Sequence, residues 1–135
     1  MTDKYFLDSN VLIYAHSDLD LSKQAKAQKL IDLYVPTISI QVLNEFANIF
    51  HKKFKTDWKI ILDLINELSI NTVIFNNSIS TVVKAIELSQ KTGYTYYDAQ
   101  ILAAAIESGC NILFSEDMQN RQIIENKLKI LNPFL

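Results

Sequence analysis

The strongest constraint on the fold is an alternation of two periodicities. Five short, mainly apolar runs, "YFL" at 5–7, "VPTI" at 35–38, "NTVIF" at 71–75, "NILF" at 111–114 and "LKIL" at 128–131, are separated by segments with helical spacing. Runs without apolar–polar alternation suit strands covered on both faces, as parallel strands are. Between them, Ala27, Leu30, Ile31 and Tyr34 fall at i, i+3, i+4 and i+7, with Asp20 or Ser22 to open a helix. Ile61, Leu64, Ile65 and Leu68 repeat the spacing after Asp57. Ile79, Val82, Val83 and Ile86 do so again, opened by Asn77 or Ser78 and closed by Gly93. Strands alternating with helices predict an α/β domain with a central, mainly parallel sheet of four to five strands flanked by helices. With only two glycines and two prolines, helices must make most of the connections.

The chain of 135 residues, 49% hydrophobic, reads as one domain over 1–135 with room for a substantial core. A net charge of −2 provides no global field for nucleic acid, so such a partner needs a local patch. The single cysteine, Cys110, excludes an internal disulfide and sits at an apolar run, as a buried inert thiol does. Two distant histidines without cysteine neighbours give no zinc pattern. No signal-peptide pattern and no apolar stretch of about 18 residues occurs, so a cytoplasmic protein without a membrane partner is expected.

Acidic residues stand where the pattern calls for apolar ones. Asp8 directly follows the first apolar run, where open α/β sheets place ligands, although Asp is also a good helix cap. In "SIQVLNEFANIFHKKF" a helix opens at Ser39 with the stripe Val42, Phe46, Ile49 and Phe50. Glu45, three after Val42 and four before Ile49, lies on that stripe, where it is either turned inward or snorkels out. In "TYYDAQILAAAIESGC", Asp98 shares the face of Ile101, Leu102 and Ala105, and a first-turn Asp also suits the helix dipole. Ser115, Glu116 and Asp117 follow the strand "NILF" at the edge that also carries Asp8, or form an ordinary polar turn. Asp8, Glu45, Asp98 and Asp117 gathered together would repel one another. With no Arg or Lys paired to these acids in the motifs, a hard divalent cation is the natural compensation. Such a cation, Mg²⁺ or Mn²⁺, in an acidic pocket suits phosphodiester hydrolysis by water.

The order of "FLDSNVLIYA", "SIQVLNEF", "YYDAQILAAAIESGCNILFSED" and "LKILNPF" resembles the PIN domain, most of all the single-domain VapC-type toxins of toxin–antitoxin pairs. The resemblance runs essentially end to end. It implies a three-layer sandwich and a Mg²⁺- or Mn²⁺-dependent endoribonuclease acting on RNA. It further implies metal ligation by Asp8 and Asp98, completed by Asp117 directly or through water. Glu45 then binds metal through water or helps to activate the attacking water. Ser115 and Asn10 match residues that orient the carboxylates. The resemblance also implies a homodimer and a cognate antitoxin whose C-terminal segment reaches the acidic pocket.

The chain departs from that pattern in having Arg121 as its only arginine, and in placing Glu116 beside Asp117. Arg121 is a candidate phosphate contact. The stretch "HKKFKTDWK" offers Lys52 and Lys53 with Phe54 and Trp58, either as an RNA grip or as a solvated interhelical loop. Asn10 stands where haloacid-dehalogenase-like phosphatases carry a second Asp, and the acid pair and late-strand Lys of a receiver domain are missing. A non-catalytic PIN-like RNA- or protein-binding module is the competing reading, and the presence of all four acids speaks against it.

Overall fold

The computed structural model describes residues 3–135. In chain order the elements are β1 (Tyr5–Leu7), α1 (Ser9–Ala15), α2 (Leu21–Asp32), β2 (Thr37–Ser39), α3 (Ile40–Lys52), α4 (Trp58–Asn71), β3 (Val73–Phe75), α5 (Ile79–Thr92), α6 (Tyr96–Glu107), β4 (Ile112–Phe114), β5 (Ile123–Ile124) and β6 (Leu128–Leu131). They form one six-stranded sheet in the order β3-β2-β1-β4-β6-β5, parallel except for the β5–β6 pair.

All five apolar runs contain strands, and the buried ones are central. Tyr5, Phe6 and Leu7 of β1 are buried, as are Thr37, Ile38 and Ser39 of β2, whereas Val73 at the β3 edge is half exposed. The sixth strand, Ile123–Ile124, exceeds the predicted four to five. Two residues are too few to show a period, and β5 exists because the chain turns back along β6 through Glu125 and Asn126 in the left-handed region.

The connections explain the layers. The β1–β2 and β2–β3 crossovers run outward through α1–α2 and α3–α4, and the β3–β4 crossover returns over the sheet through α5–α6. Right-handed crossovers in opposite directions put α1–α4 on one face and α5–α6 on the other. The contacts agree: α1 touches α2 and α3, α3 touches α4, and α5 packs on α6. The strand order therefore reverses between β1 and β4, and a crevice opens at their carboxyl ends.

Helix capping follows the predicted residues at Asp20, whose side chain accepts from Lys23 N at 3.1 Å, and at Ser39, whose hydroxyl accepts from Val42 N at 3.3 Å. Ser78 and Thr81 form a reciprocal cap at the start of α5, and Gly93 ends that helix at φ 79°. The α6 helix is buried along Ala99 and Ile101–Ala105, where small side chains let it lie close to the sheet and to α5.

Two stripes differ from the sequence reading. In α5 the buried residues are Thr81, Ala85 and Leu88, while Ile79, Val83 and Ile86 are exposed. The face of α5 toward α6 is chosen by small residues and a threonine hydroxyl bonded to Glu107 at 2.5 Å, so hydrophobicity points to the wrong side. In α2 only Ala27 is fully buried, and Tyr34 lies beyond the helix end and is exposed. Among the described residues, no helix is long and apolar enough to cross a membrane. Leu113, fully buried in β4, is expected to cost about 2–5 kcal/mol when cut to alanine. By contrast, Ile79→Ala on the exposed α5 face should stay within about 0.5 kcal/mol, both read from urea midpoints.

Candidate active site

Sheet register builds the site. Leu7 pairs with Phe114 across β1 and β4, and Asp8 N donates to Phe114 O at 3.0 Å, so Asp8 and Ser115 are the next residues on the two strands. Side chains at opposed positions of neighbouring strands share a face. Accordingly Ser115 Oγ donates to Asp8 Oδ2 at 2.9 Å. The other oxygen, Oδ1, accepts from Ser9 N at 2.7 Å, so Asp8 also caps α1. The two readings of Asp8 as cap and as site residue describe one side chain.

Around this carboxylate the polar groups form a connected set. Asn10 Nδ2 donates to Asp117 Oδ2 at 3.0 Å and lies 3.5 Å from Asp8 Oδ2, while its Oδ1 accepts from Glu116 N at 3.3 Å. Asp117 N in turn donates to Ser115 Oγ at 3.3 Å. On the other side Ser9 Oγ donates to Glu45 Oε2 at 2.6 Å, and Gln41 Nε2 donates to Glu45 Oε1 at 3.0 Å. Glu45 is thus held inward from the second turn of α3, as its place on the apolar stripe suggests. Asp98 enters from the first turn of α6, whose cap is Thr95, with Oγ1 accepting from Asp98 N at 3.3 Å.

Electrostatics shows how close this grouping is. Asp8 is 5% exposed, and burial is the main reason its carboxyl is pushed up to about 7. Hydrogen bonds from Ser115 and Ser9 N oppose the shift, and the charges of Glu45 and Asp98 add to it. Asp98 is raised as well, by burial first, against the Thr95 hydroxyl and with the charges of Asp117 and Glu45. Asp8 and Asp98 thus both lie within the field of neighbouring carboxylates. None of the four takes part in an ion pair among the described residues; those pairs are Lys23–Glu116, Lys84–Glu125 and Lys91–Glu125.

Glu116 and Asp117 are separated by their partners. Glu116 turns away to form an ion pair with Lys23 of α2 and accepts from Tyr14 OH at 2.9 Å. Asp117 turns toward Asn10. Ser9, Gln41, Lys23 and Tyr14 are the residues that motif reading passes over. The Gln41–Glu45 spacing of i, i+4 was visible as a helix-surface pair, whereas Lys23 and Glu116 are 93 residues apart and leave no local signal.

The predicted substrate contacts lie elsewhere. Lys52 is the last residue of α3 and Lys53 its cap, on the order of 10 Å along the axis from Glu45 at 1.5 Å per residue, toward the opposite edge of the sheet. Trp58 is exposed and stacks on His51 with ring centroids 3.8 Å apart. Arg121 is exposed after the acidic turn, in the left-handed region at φ 71°, with its N–H bonded to Ile130 O.

The donor set consists of carboxylate, amide and hydroxyl oxygens, which suit a hard cation. Among the described residues, no three Asp, Glu, His or Cys side chains converge as tightly as direct coordination requires. The acids instead hang on the hydroxyl and amide bridges of Ser9, Asn10 and Ser115. Buried Asp8 with the charges of Glu45 and Asp98 beside it nonetheless fits a cation, because like charges repel more strongly out of water and a cation offsets them.

The raised Asp8 carboxyl fixes a stability profile. Its native value lies above the ordinary 3.8, so the native state binds more protons than the unfolded chain between about pH 4 and 7. Metal-free stability should fall as pH rises through that window, by up to about 1.4 kcal/mol for each step of one in pH, and level off above it. In EDTA, Asp8→Asn should therefore raise the urea midpoint at pH 8, with a gain that shrinks toward pH 4; a gain equal at both would contradict the burial argument.

Known proteins share the fold that carries this site. In solved structures the chain is similar to VapC20 of Mycobacterium tuberculosis, a sarcin–ricin loop cleaving toxin (17% identity, 84% of this chain and 92% of that one, TM-score 0.68). It is also similar to a chain of a Klebsiella pneumoniae toxin–antitoxin complex (22%, 97% and 98%, TM-score 0.68). A third similar structure is VapBC2 of Rickettsia felis bound to a promoter DNA fragment (20%, 93% and 96%, TM-score 0.66). Curated protein sequences yield no significant match. A family model described as "PIN domain" matches residues 5–124, from the first strand through the acidic turn to β5. The chain belongs to the PIN-domain family.

Proposed function

We propose that the protein is a Mg²⁺- or Mn²⁺-dependent endoribonuclease, the toxin of a toxin–antitoxin pair. The observation that carries this reading is the group of four acids at the switch point of the sheet, Asp8 buried, Glu45 and Asp98 half-buried and Asp117 exposed at the rim, without a cationic partner among the described residues. A neighbouring acid with no such task, Glu116, is already neutralised by Lys23.

Asp8, Asp98 and Asp117 would hold the cation, Asp117 directly or through water. When bound, the cation orients the phosphodiester, offsets charge on its oxygens and makes the attacking water more acidic. Asn10 and Ser115 keep Asp8 and Asp117 oriented by the hydrogen bonds described above. Glu45, fixed by Ser9 and Gln41, is positioned to bind through water and to accept a proton from the attacking water. The water oxygen bonds to phosphorus as the bond to the leaving ribose oxygen breaks, that oxygen takes a proton from solvent, and no side chain becomes covalently attached. Arg121, exposed just after the acidic turn, is a candidate for a substrate phosphate, and Lys52 and Lys53 would reach only a strand that extends along α3.

The proteins of similar fold support a partner as well. They include toxin–antitoxin complexes, so a cognate antitoxin that covers the acids is part of the same proposal; a homodimer as the working state is proposed on the family resemblance alone.

Structured RNA should be cut with Mg²⁺ or Mn²⁺ and left intact in EDTA, as seen on denaturing gels. Asp98→Asn should remove the cleavage, and Glu45→Gln should slow it by about 10²–10⁴-fold, as loss of a proton acceptor does. Ser9→Ala, which only frees Glu45, should cost about 10–100-fold, as the loss of an orienting partner does. Full metal-dependent cleavage by folded Asp98→Asn would contradict the proposal. Growth arrest on expression, relieved by co-expressing the short reading frame expected beside the gene, tests the toxin role.

A further inference from the structure

A groove of about 780 Å³ runs along the same sheet edge, beside the acids, between α3, the end of β3 and the start of α6. Register explains its position. Ser39 pairs with Phe75 across β2 and β3, so Ile40 and Gln41 stand next to Asn76 and Asn77 where the two strands end. Glu45 lines both this groove and the acidic site, which makes the two continuous.

The lining has an unusual chemistry. Gln41, Asn44, Asn76, Asn77 and Gln100 contribute side-chain amides, and Tyr97, 67% exposed, contributes an aromatic face. No Lys or Arg lines the groove, and its one charged residue is Glu45. Such a surface repels phosphate but suits a nucleobase, whose edge takes amide hydrogen bonds and whose face stacks on an aromatic ring. Gln41 is pinned through Nε2, which donates both to Glu45 Oε1 and to Tyr97 O at 3.0 Å. Gln41 Oε1 and Asn77 Oδ1 are shielded from water with no partner among the described residues, so a base reaches them only as these side chains turn toward the groove. Unpaired buried acceptors favour a ligand that brings N–H donors.

We propose that this groove is a nucleobase subsite that takes one unpaired base next to the cleaved phosphate and favours bases carrying an amino group over uracil. The inference rests on the ribonuclease reading and adds a source of sequence preference to it. The amino groups of adenine and cytosine each present two hydrogens. Uracil presents a single imino hydrogen between two carbonyl oxygens, which would face the acceptors of the wall. Tyr97 and Asn77 would act as specificity residues, and Gln41 would couple base binding to Glu45 through its shared amide.

Neutral nucleosides test the subsite without phosphate and without cleavage. In ¹H–¹⁵N spectra of the full chain in EDTA, adenosine and cytidine should shift the side-chain amide signals of Gln41, Asn77 and Gln100. Uridine should bind about tenfold more weakly, the scale of one lost hydrogen-bond match. Asn77→Leu and Tyr97→Ala should lose these shifts while keeping dispersed spectra, and Asn77→Asp, which retains an acceptor, should preserve them. Equal binding of uridine would overturn the preference. Shifts confined to another surface, or none with any nucleoside, would overturn the subsite and are the outcome expected if the groove instead receives a protein segment. Because the readout is binding, nucleoside shifts in a protein that cuts no RNA would sink the nuclease reading and leave the subsite standing.

Discussion

The arrangement depends on one buried charge. Asp8 is almost wholly removed from water at the end of a central strand, where a carboxylate is costly unless hydrogen-bonded and compensated. Ser115 and Ser9 N provide the hydrogen bonds, but the nearest charged groups are other carboxylates. Had the fold needed only a helix cap at this point, a serine would have capped α1 without a buried charge. The position is therefore destabilising for the free protein, and under the proposed function a bound cation would offset that cost.

The fold concentrates this liability in one place. Parallel strands in flush register end together, so the residues after β1, β2, β3 and β4 all meet at the same edge. Asp8 follows β1, Ser115 to Asp117 follow β4, the helix with Glu45 starts directly from β2, and Asn76 and Asn77 follow β3. Asp98 is added from the opposite layer by the first turn of α6. The polar residues between them have separate tasks: Ser9 and Gln41 fix Glu45, Asn10 spans Asp8 and Asp117, and Lys23 removes Glu116 from the group. Only the last of these pairings neutralises a charge.

Much of this was legible in the sequence, and the reasons are local. The five apolar runs and the caps at Asp20, Ser39 and Gly93 are short-range signals, and each became the element it suggested. Glu45 was visible because a charged residue broke an apolar stripe. What stayed hidden was decided by long-range packing. The buried face of α5 follows Thr81 and Ala85, because close approach to α6 matters more there than side-chain hydrophobicity, and Ile79 and Val83 are left outside. The two-residue β5 depends on pairing with β6. The choice between Glu116 and Asp117 depends on Lys23 and Tyr14, which no spacing connects to them. The amide-lined groove was equally hidden, because its residues come from three segments that only register brings together.

The central claim is that these four acids form one cation site. The most direct measurement is anomalous diffraction from crystals of the protein soaked in Mn²⁺. A peak within coordination distance, about 2.0–2.3 Å, of carboxylate oxygens of both Asp8 and Asp98, with Asp117 joined directly or through water, is the predicted result. Saturating Mn²⁺ that leaves this crevice without a peak, while Asp8 and Asp98 remain apart, would contradict the account.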